Sequence, residues 1–130
     1  MKDGCAMLRL LYVDDDADLR DLAQFALDID PDVQVATAAS GADAISACDA
    51  MVPDAILLDV MMPGMDGPQV LAALRRRHET ADVPVIFVTA RVLPDEQRRL
   101  VGLGAVGVIT KPFDPMTLAA DVRKALTQHG

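Results

Sequence analysis

The chain has 130 residues, 52% of them hydrophobic and 25% charged, which suits one folded domain with one core and excludes a disordered chain. The formal net charge of −8 argues against direct nucleic-acid binding and against an anionic membrane surface, both of which need a basic face. No apolar run approaches bilayer length and no signal-peptide core opens the sequence, so a cytoplasmic protein with no membrane partner is expected.

Residues 1–7 read as a flexible end, with Cys5 an inert thiol inside it. Leu8 to Val13 is an apolar run that stops at Asp14-Asp15-Asp16 and reads as a buried strand. Leu19, Leu22, Ala23, Ala26 and Leu27 then recur at helical spacing, and Pro31 closes that region. Val33 to Thr37 alternates, as a strand with one less buried face does. Ser40 is a plausible N-cap for a helix that turns Ala44, Ile45 and Cys48 inward.

Pro53-Asp54 marks the turn into Ala55 to Leu58, a short apolar run that ends in the carboxylate of Asp59 and a Pro63-Gly64 turn. Asp66 can cap the next helix with Pro68 in its first turn, burying Val70, Leu71 and Leu74. Arg75, Arg76 and Arg77 read as a solvated helix end favoured by the dipole. Pro84 to Val88 is a fourth strand, ended by Thr89. A fourth helix starts at Pro94, turns Leu100 and Leu103 inward and stops at Gly104. Val106 to Ile109 is a fifth strand, followed by Thr110-Lys111-Pro112. Asp114-Pro115 reads as N-cap and first turn of a last helix carrying Leu118, Val122, Ala125 and Leu126 on one face.

Five apolar strands alternating with five helices imply an α/β fold: a parallel sheet covered on both faces, doubly wound, in strand order 2-1-3-4-5, a (βα)5 flavodoxin-like single domain over residues 8–127 with flexible ends at 1–7 and 128–130. In such a sheet the carboxyl ends of the strands share one edge. That edge collects Asp14 and Asp15, Asp59, Thr89 and Lys111. Carboxylates brought this close repel unless a cation offsets them. A hard divalent ion such as Mg²⁺ takes carboxylate oxygens, and Lys111 adds positive charge from the other side. Carboxylates, a metal, a lysine and a hydroxyl together suit phosphoryl transfer, with Asp59, alone at the centre of the edge, as nucleophile. Each element alone has a bland reading: an Asp after a strand is often a helix cap, and Lys-Pro a turn. The ordered set is the signal.

Leu11-Tyr12-Val13-Asp14-Asp15-Asp16, Leu57 to Gly67, Val88-Thr89-Ala90 and Thr110-Lys111-Pro112-Phe113 resemble the receiver domain of two-component response regulators, over nearly the whole chain. The resemblance implies a signalling switch rather than an enzyme, phosphorylated on Asp59 by a sensor histidine kinase or phosphotransfer protein. It implies Mg²⁺ (or Mn²⁺) held by Asp15, Asp59 and the backbone carbonyl of Met61, with Asp14 assisting, and Thr89 and Lys111 on the phosphoryl oxygens. It also implies a cis Lys111-Pro112 bond and an output surface for a downstream protein on the fourth helix, fifth strand and fifth helix. Homodimerisation on phosphorylation is left open.

Two positions depart from or tune the pattern. Val108 stands where family members often carry an aromatic switch residue. Met61 and Arg91 lie two residues after Asp59 and Thr89, where the family tunes dephosphorylation. Their bulk suggests a long-lived phospho-Asp59; the bland alternative is that they only cover the loops. Two rivals are carried. One is a receiver fragment of a longer regulator, DNA-binding or kinase-fused. The other is a small Mg²⁺-dependent phosphatase; such enzymes can carry Asp-x-Asp-x-Thr after the first strand, and here Asp14-Asp15-Asp16-Ala17-Asp18 lacks that Thr. His78 and His129 have no metal-spaced partner and read as surface residues.

Overall fold

The computed structural model describes residues 7–91 and 93–129. The expected frayed end with Cys5, and Gly130, lie outside that set, apart from Met7. Ten elements alternate: β1 (Leu8–Val13), α1 (Ala17–Asp28), β2 (Val33–Ala38), α2 (Gly41–Ala50), β3 (Ala55–Asp59), α3 (Gly67–Arg75), β4 (Val85–Thr89), α4 (Pro94–Gly102), β5 (Gly107–Thr110) and α5 (Leu118–His129). The strands form one sheet in the order β2-β1-β3-β4-β5, with every pairing parallel. The doubly wound fold read from the sequence is the one observed.

Alternation along the strands sorts the core into two layers. Leu11, Val13, Ile56, Leu58, Val85 and Phe87 pack with α2, α3 and α4. Leu10, Tyr12, Leu57, Ile86, Val88 and Ile109 pack with α1 and α5. The central strands β3 and β4 are buried at every position, as continuous apolar runs covered on both faces must be. Register aligns the strand ends: Val13 pairs with Leu58, Asp59 with Val88, and Thr89 with Thr110. The residues just beyond those pairs therefore meet at one edge.

The helix ends follow local chemistry. Asp16 caps α1 by accepting from the Asp18 and Leu19 amides, and Ser40 caps α2 by accepting from Asp43. Asp66 and Gln69 form a reciprocal capping box at α3. Gly104 takes φ +114° just past the end of α4, where a left-handed residue closes the helix.

Three expectations need correction. Leu103 does not point inward: α4 ends at Gly102, so Leu103 becomes its cap and is 45% exposed, while Leu100 alone is fully buried. Asp114 does not cap α5. It accepts from the Met116 amide in a separate turn, and α5 begins at Leu118. The arginine run is only partly a solvated end. Arg75 Nη1 donates to the carbonyls of Thr80 (3.3 Å) and Val83 (2.8 Å), and Arg77 pairs with Asp49 of α2. Arg75 thus fastens the end of α3 to the loop that feeds β4. Cys48 is buried, as expected, and burial pushes its thiol up, which keeps it unreactive.

Candidate functional site

The site lies at the carboxyl edge of the sheet. Asp14 follows β1, Asp59 closes β3, and Lys111 follows β5. β1 and β3 are adjacent although not consecutive in the chain, so the strand order reverses between them and opens a crevice. One carboxylate oxygen from each of Asp14, Asp15 and Asp59 lies within 4.8 Å of the others. Asp14 and Asp59 are buried, at 0% and 4% exposure, while Asp15 is exposed.

Lys111 Nζ bridges the buried pair, 2.9 Å from Asp59 Oδ1 and 3.0 Å from Asp14 Oδ2. Asp14 is held on every oxygen. Its Oδ1 accepts from the Asp16 amide (3.0 Å), its Oδ2 also accepts from the Tyr12 hydroxyl (2.9 Å), and its carbonyl accepts from Arg20 Nη1 (2.9 Å). Asp59 has Lys111 as its side-chain partner. The contrast suits two different tasks, a fixed carboxylate and a freer one.

Electrostatics set Asp59 apart. Burial pushes its carboxyl up to about 6; the Lys111 hydrogen bond pulls it down and the Asp14 charge adds to the rise. Burial alone would lower Lys111, but its bonds to Asp59 and Asp14 outweigh that and hold the ammonium above its ordinary value. Burial, and then the Asp14 charge, raise the Tyr12 phenol so far that it remains a hydrogen donor. Among the described residues one ammonium, that of Lys111, faces the three carboxylates, so the cluster is short of positive charge. Its donor set is all hard oxygen, and it fits a divalent cation of the Mg²⁺ type.

Not every predicted residue converges. Thr89 is buried beside Asp59's strand, yet its hydroxyl accepts from the Arg91 amide (3.0 Å) and makes no bond to Asp59 or Lys111. The tie between them is through the backbone, where the Lys111 amide donates to the Thr89 carbonyl at 2.8 Å. Met61 is 63% exposed on the loop after β3, and Arg91 lies 3.9 Å from Glu96. The Lys111-Pro112 bond is cis. Gly67 earns its place by contact: a Cβ there would lie 2.6 Å from the Asp59 carbonyl oxygen and 2.9 Å from Val60 Cα.

Sequence reasoning gave no role to Tyr12 or Gly67, although both lie in the motifs quoted, and passed over Arg20. Alternation did place Tyr12 on the same strand face as Asp14, which was an available signal. Arg20 lies one helical turn past the cap, within reach of the edge; nothing in its type alone marked it.

Residues 10–123 match the family described as the response regulator receiver domain. The phosphate regulon transcriptional regulatory protein PhoB of Escherichia coli is 36% identical over 118 residues, 91% of this chain and 51% of that protein. The transcriptional regulatory protein PrrA of Mycobacterium tuberculosis is 37% identical over 130 residues, 100% of this chain and 54% of that protein. The chain therefore spans about half the length of these curated relatives. Among solved structures, the chemotaxis response regulator CheY4 of Vibrio cholerae aligns with a TM-score of 0.85 at 29% identity, covering 92% of this chain and 99% of that one.

Proposed function

The chain belongs to the response regulator receiver domain family, the phosphoacceptor switches of two-component signalling, and from that premise we propose that Asp59 is its phosphoacceptor, within a domain spanning residues 8–127. The observation that carries this assignment is the contrast between the two buried carboxylates. Asp14 is pinned by Tyr12, Lys111 and the Asp16 amide, whereas Asp59 is held by Lys111 and raised to about 6 by burial. A carboxylate so placed is the better nucleophile.

The donor is a phosphohistidine on a sensor histidine kinase or phosphotransfer protein. An Asp59 oxygen attacks phosphorus, the new O–P bond forms, and the P–N bond breaks with its electron pair leaving on the imidazole nitrogen. Lys111 swings from bridging two carboxylates to neutralising phosphoryl oxygens, and the Thr89 hydroxyl turns from the Arg91 amide to donate to them. Asp14, Asp15, Asp59 and the Met61 carbonyl would hold Mg²⁺ or Mn²⁺, which supplies the positive charge that the cluster lacks.

Output is proposed on α4, β5 and α5, where Leu93 and Val101 of the α4 region stand exposed. The downstream contact is a protein, since the charge of −8 disfavours direct nucleic-acid binding. The curated relatives named as transcriptional regulators are about twice as long, so the receiver is proposed to govern an output module in regulators of that type. Exposed Met61 and Arg91 are proposed to hinder attacking water, and small polar residues at both positions should shorten the phosphorylated state.

The test is intact mass after incubation with Mg²⁺ and acetyl phosphate. Wild type gains one phosphoryl group; Asp59→Asn and an EDTA control do not. Equal gain by Asp59→Asn would remove the assignment.

A further inference from the structure

Tyr12 is the only tyrosine of the chain, and its position is unusual for a polar group. The ring is fully buried in the layer beneath α1 and α5, among Leu57, Val88 and Phe113. An aliphatic residue or a phenylalanine would satisfy that core. The hydroxyl reaches out of it to a single acceptor among the described residues, Asp14 Oδ2, at 2.9 Å. A buried hydroxyl needs a partner, and here the partner belongs to the acidic cluster.

Two further contacts make the arrangement directional. The Tyr12 ring meets Phe113 edge-on, with centroids 6.2 Å apart and planes at 72°, so the phenol is aimed by packing and not by the carboxylate alone. Phe113 lies two residues after Lys111, which places the support of the ring and the anchor of the lysine on one short loop. Asp14 Oδ2 accepts from both Tyr12 and Lys111, but the two donors differ. Lys111 also serves Asp59 and has a flexible stem; Tyr12 has no second partner among the described residues and cannot move without opening the core. Once Lys111 turns away from Asp14, the phenol is what remains on Oδ2.

We propose that Tyr12 is a positioning residue for the acidic site: its hydroxyl fixes the direction in which Asp14 presents its carboxylate to the divalent cation, and keeps it fixed when Lys111 leaves. The inference rests on the reading of the cluster as a cation site. It predicts an effect on metal affinity, separate from the rate of the chemical step.

Tyr12→Phe removes the hydroxyl and keeps the ring. Calorimetric titration with Mg²⁺ should show affinity weakened about tenfold, the scale of losing one hydrogen bond to a charged acceptor. Phosphoryl uptake from acetyl phosphate should need more Mg²⁺ than wild type and recover as Mg²⁺ is raised, the loss being one of binding. A Tyr12→Phe protein that binds Mg²⁺ as tightly as wild type, or more tightly, overturns the proposal and leaves Tyr12 a core residue with a satisfied hydroxyl. A second measurement needs no variant. With fluorotyrosine incorporated, the single ¹⁹F resonance should move on Mg²⁺ addition with the calorimetric midpoint, and a resonance indifferent to Mg²⁺ overturns the proposal. Wild type that binds no Mg²⁺ would overturn the cation site itself; wild-type binding unchanged in Tyr12→Phe overturns the role of Tyr12 alone.

Discussion

Asp59 is a buried carboxylate with too little positive charge around it, and its behaviour should follow from that. Its carboxyl rises from the ordinary 3.8 to about 6, so between those values the folded chain holds a proton that the unfolded chain has released. Stability of the metal-free protein therefore increases as pH falls through about 6, and is lower at neutral pH where Asp59 is ionised. Asp59→Asn removes that cost. In EDTA at neutral pH it should be more stable than wild type by on the order of 1–3 kcal/mol in urea unfolding, with the advantage shrinking toward pH 4. Equal stability of the two proteins at neutral pH would show that Lys111 already compensates the charge. The identity of Asp59, Asp14, Asp15 and Lys111 as edge residues was legible because they end or follow three separate apolar runs. The Tyr12 and Arg20 bonds to Asp14 were not, because they depend on side-chain reach across packed elements, which periodicity does not encode.

At the scale of elements, most helix starts were readable and most misreadings fell at helix ends. Asp66 with Pro68 announced α3, and the structure adds the return bond, Gln69 Oε1 accepting from the Asp66 amide at 2.9 Å. Removing that cap with Asp66→Ala should cost about 1 kcal/mol of stability while leaving Mg²⁺-dependent phosphoryl uptake near wild type, since Asp66 lies outside the acidic cluster. A loss of only a few tenths would mean that the loop around Gly67 holds α3 by itself. The misplaced residues do not share one cause. Leu103 kept helical spacing from Leu100, yet the helix had ended at Gly102. Arg75 looked like one of three solvated arginines, yet its guanidinium finds two carbonyls of the loop before β4. Asp114 has N-cap chemistry, yet it serves an isolated turn. Leu103 and Asp114 were decided by local bonds, the Gly104 turn after α4 and the Met116 turn before α5, whereas Arg75 was decided by a contact outside its helix.

Over the whole molecule, the two-layer core and parallel register bring the strand ends to one edge, and the sequence conveyed this because its strands are almost wholly apolar and its turns are marked by Pro, Gly and Asp. Function at this scale is a population shift. Moving an equilibrium from 1:99 to 99:1 takes about 5.5 kcal/mol of differential stabilisation. Val108 is partly buried against the α2–α3–α4 layer and lacks the bulk of an aromatic switch residue. The free protein bound to beryllofluoride and Mg²⁺ should therefore show only partial displacement of α4 by NMR, completed when a partner binds. A complete shift in the free protein would place the energy of switching in the receiver itself. On the proposed cation site, Mg²⁺ alone should raise the thermal midpoint of wild type, since a ligand of the folded cluster alone stabilises the fold; little change is expected for Asp59→Asn.

The central claim is that Asp59 takes the phosphoryl group as an acyl phosphate. Its most direct measurement is borohydride reduction of the protein after phosphorylation by acetyl phosphate and Mg²⁺, followed by peptide mass mapping. The account predicts homoserine at position 59 and unmodified Asp14 and Asp15. Homoserine at 14 or 15, or a phosphoryl group that resists borohydride, would contradict it.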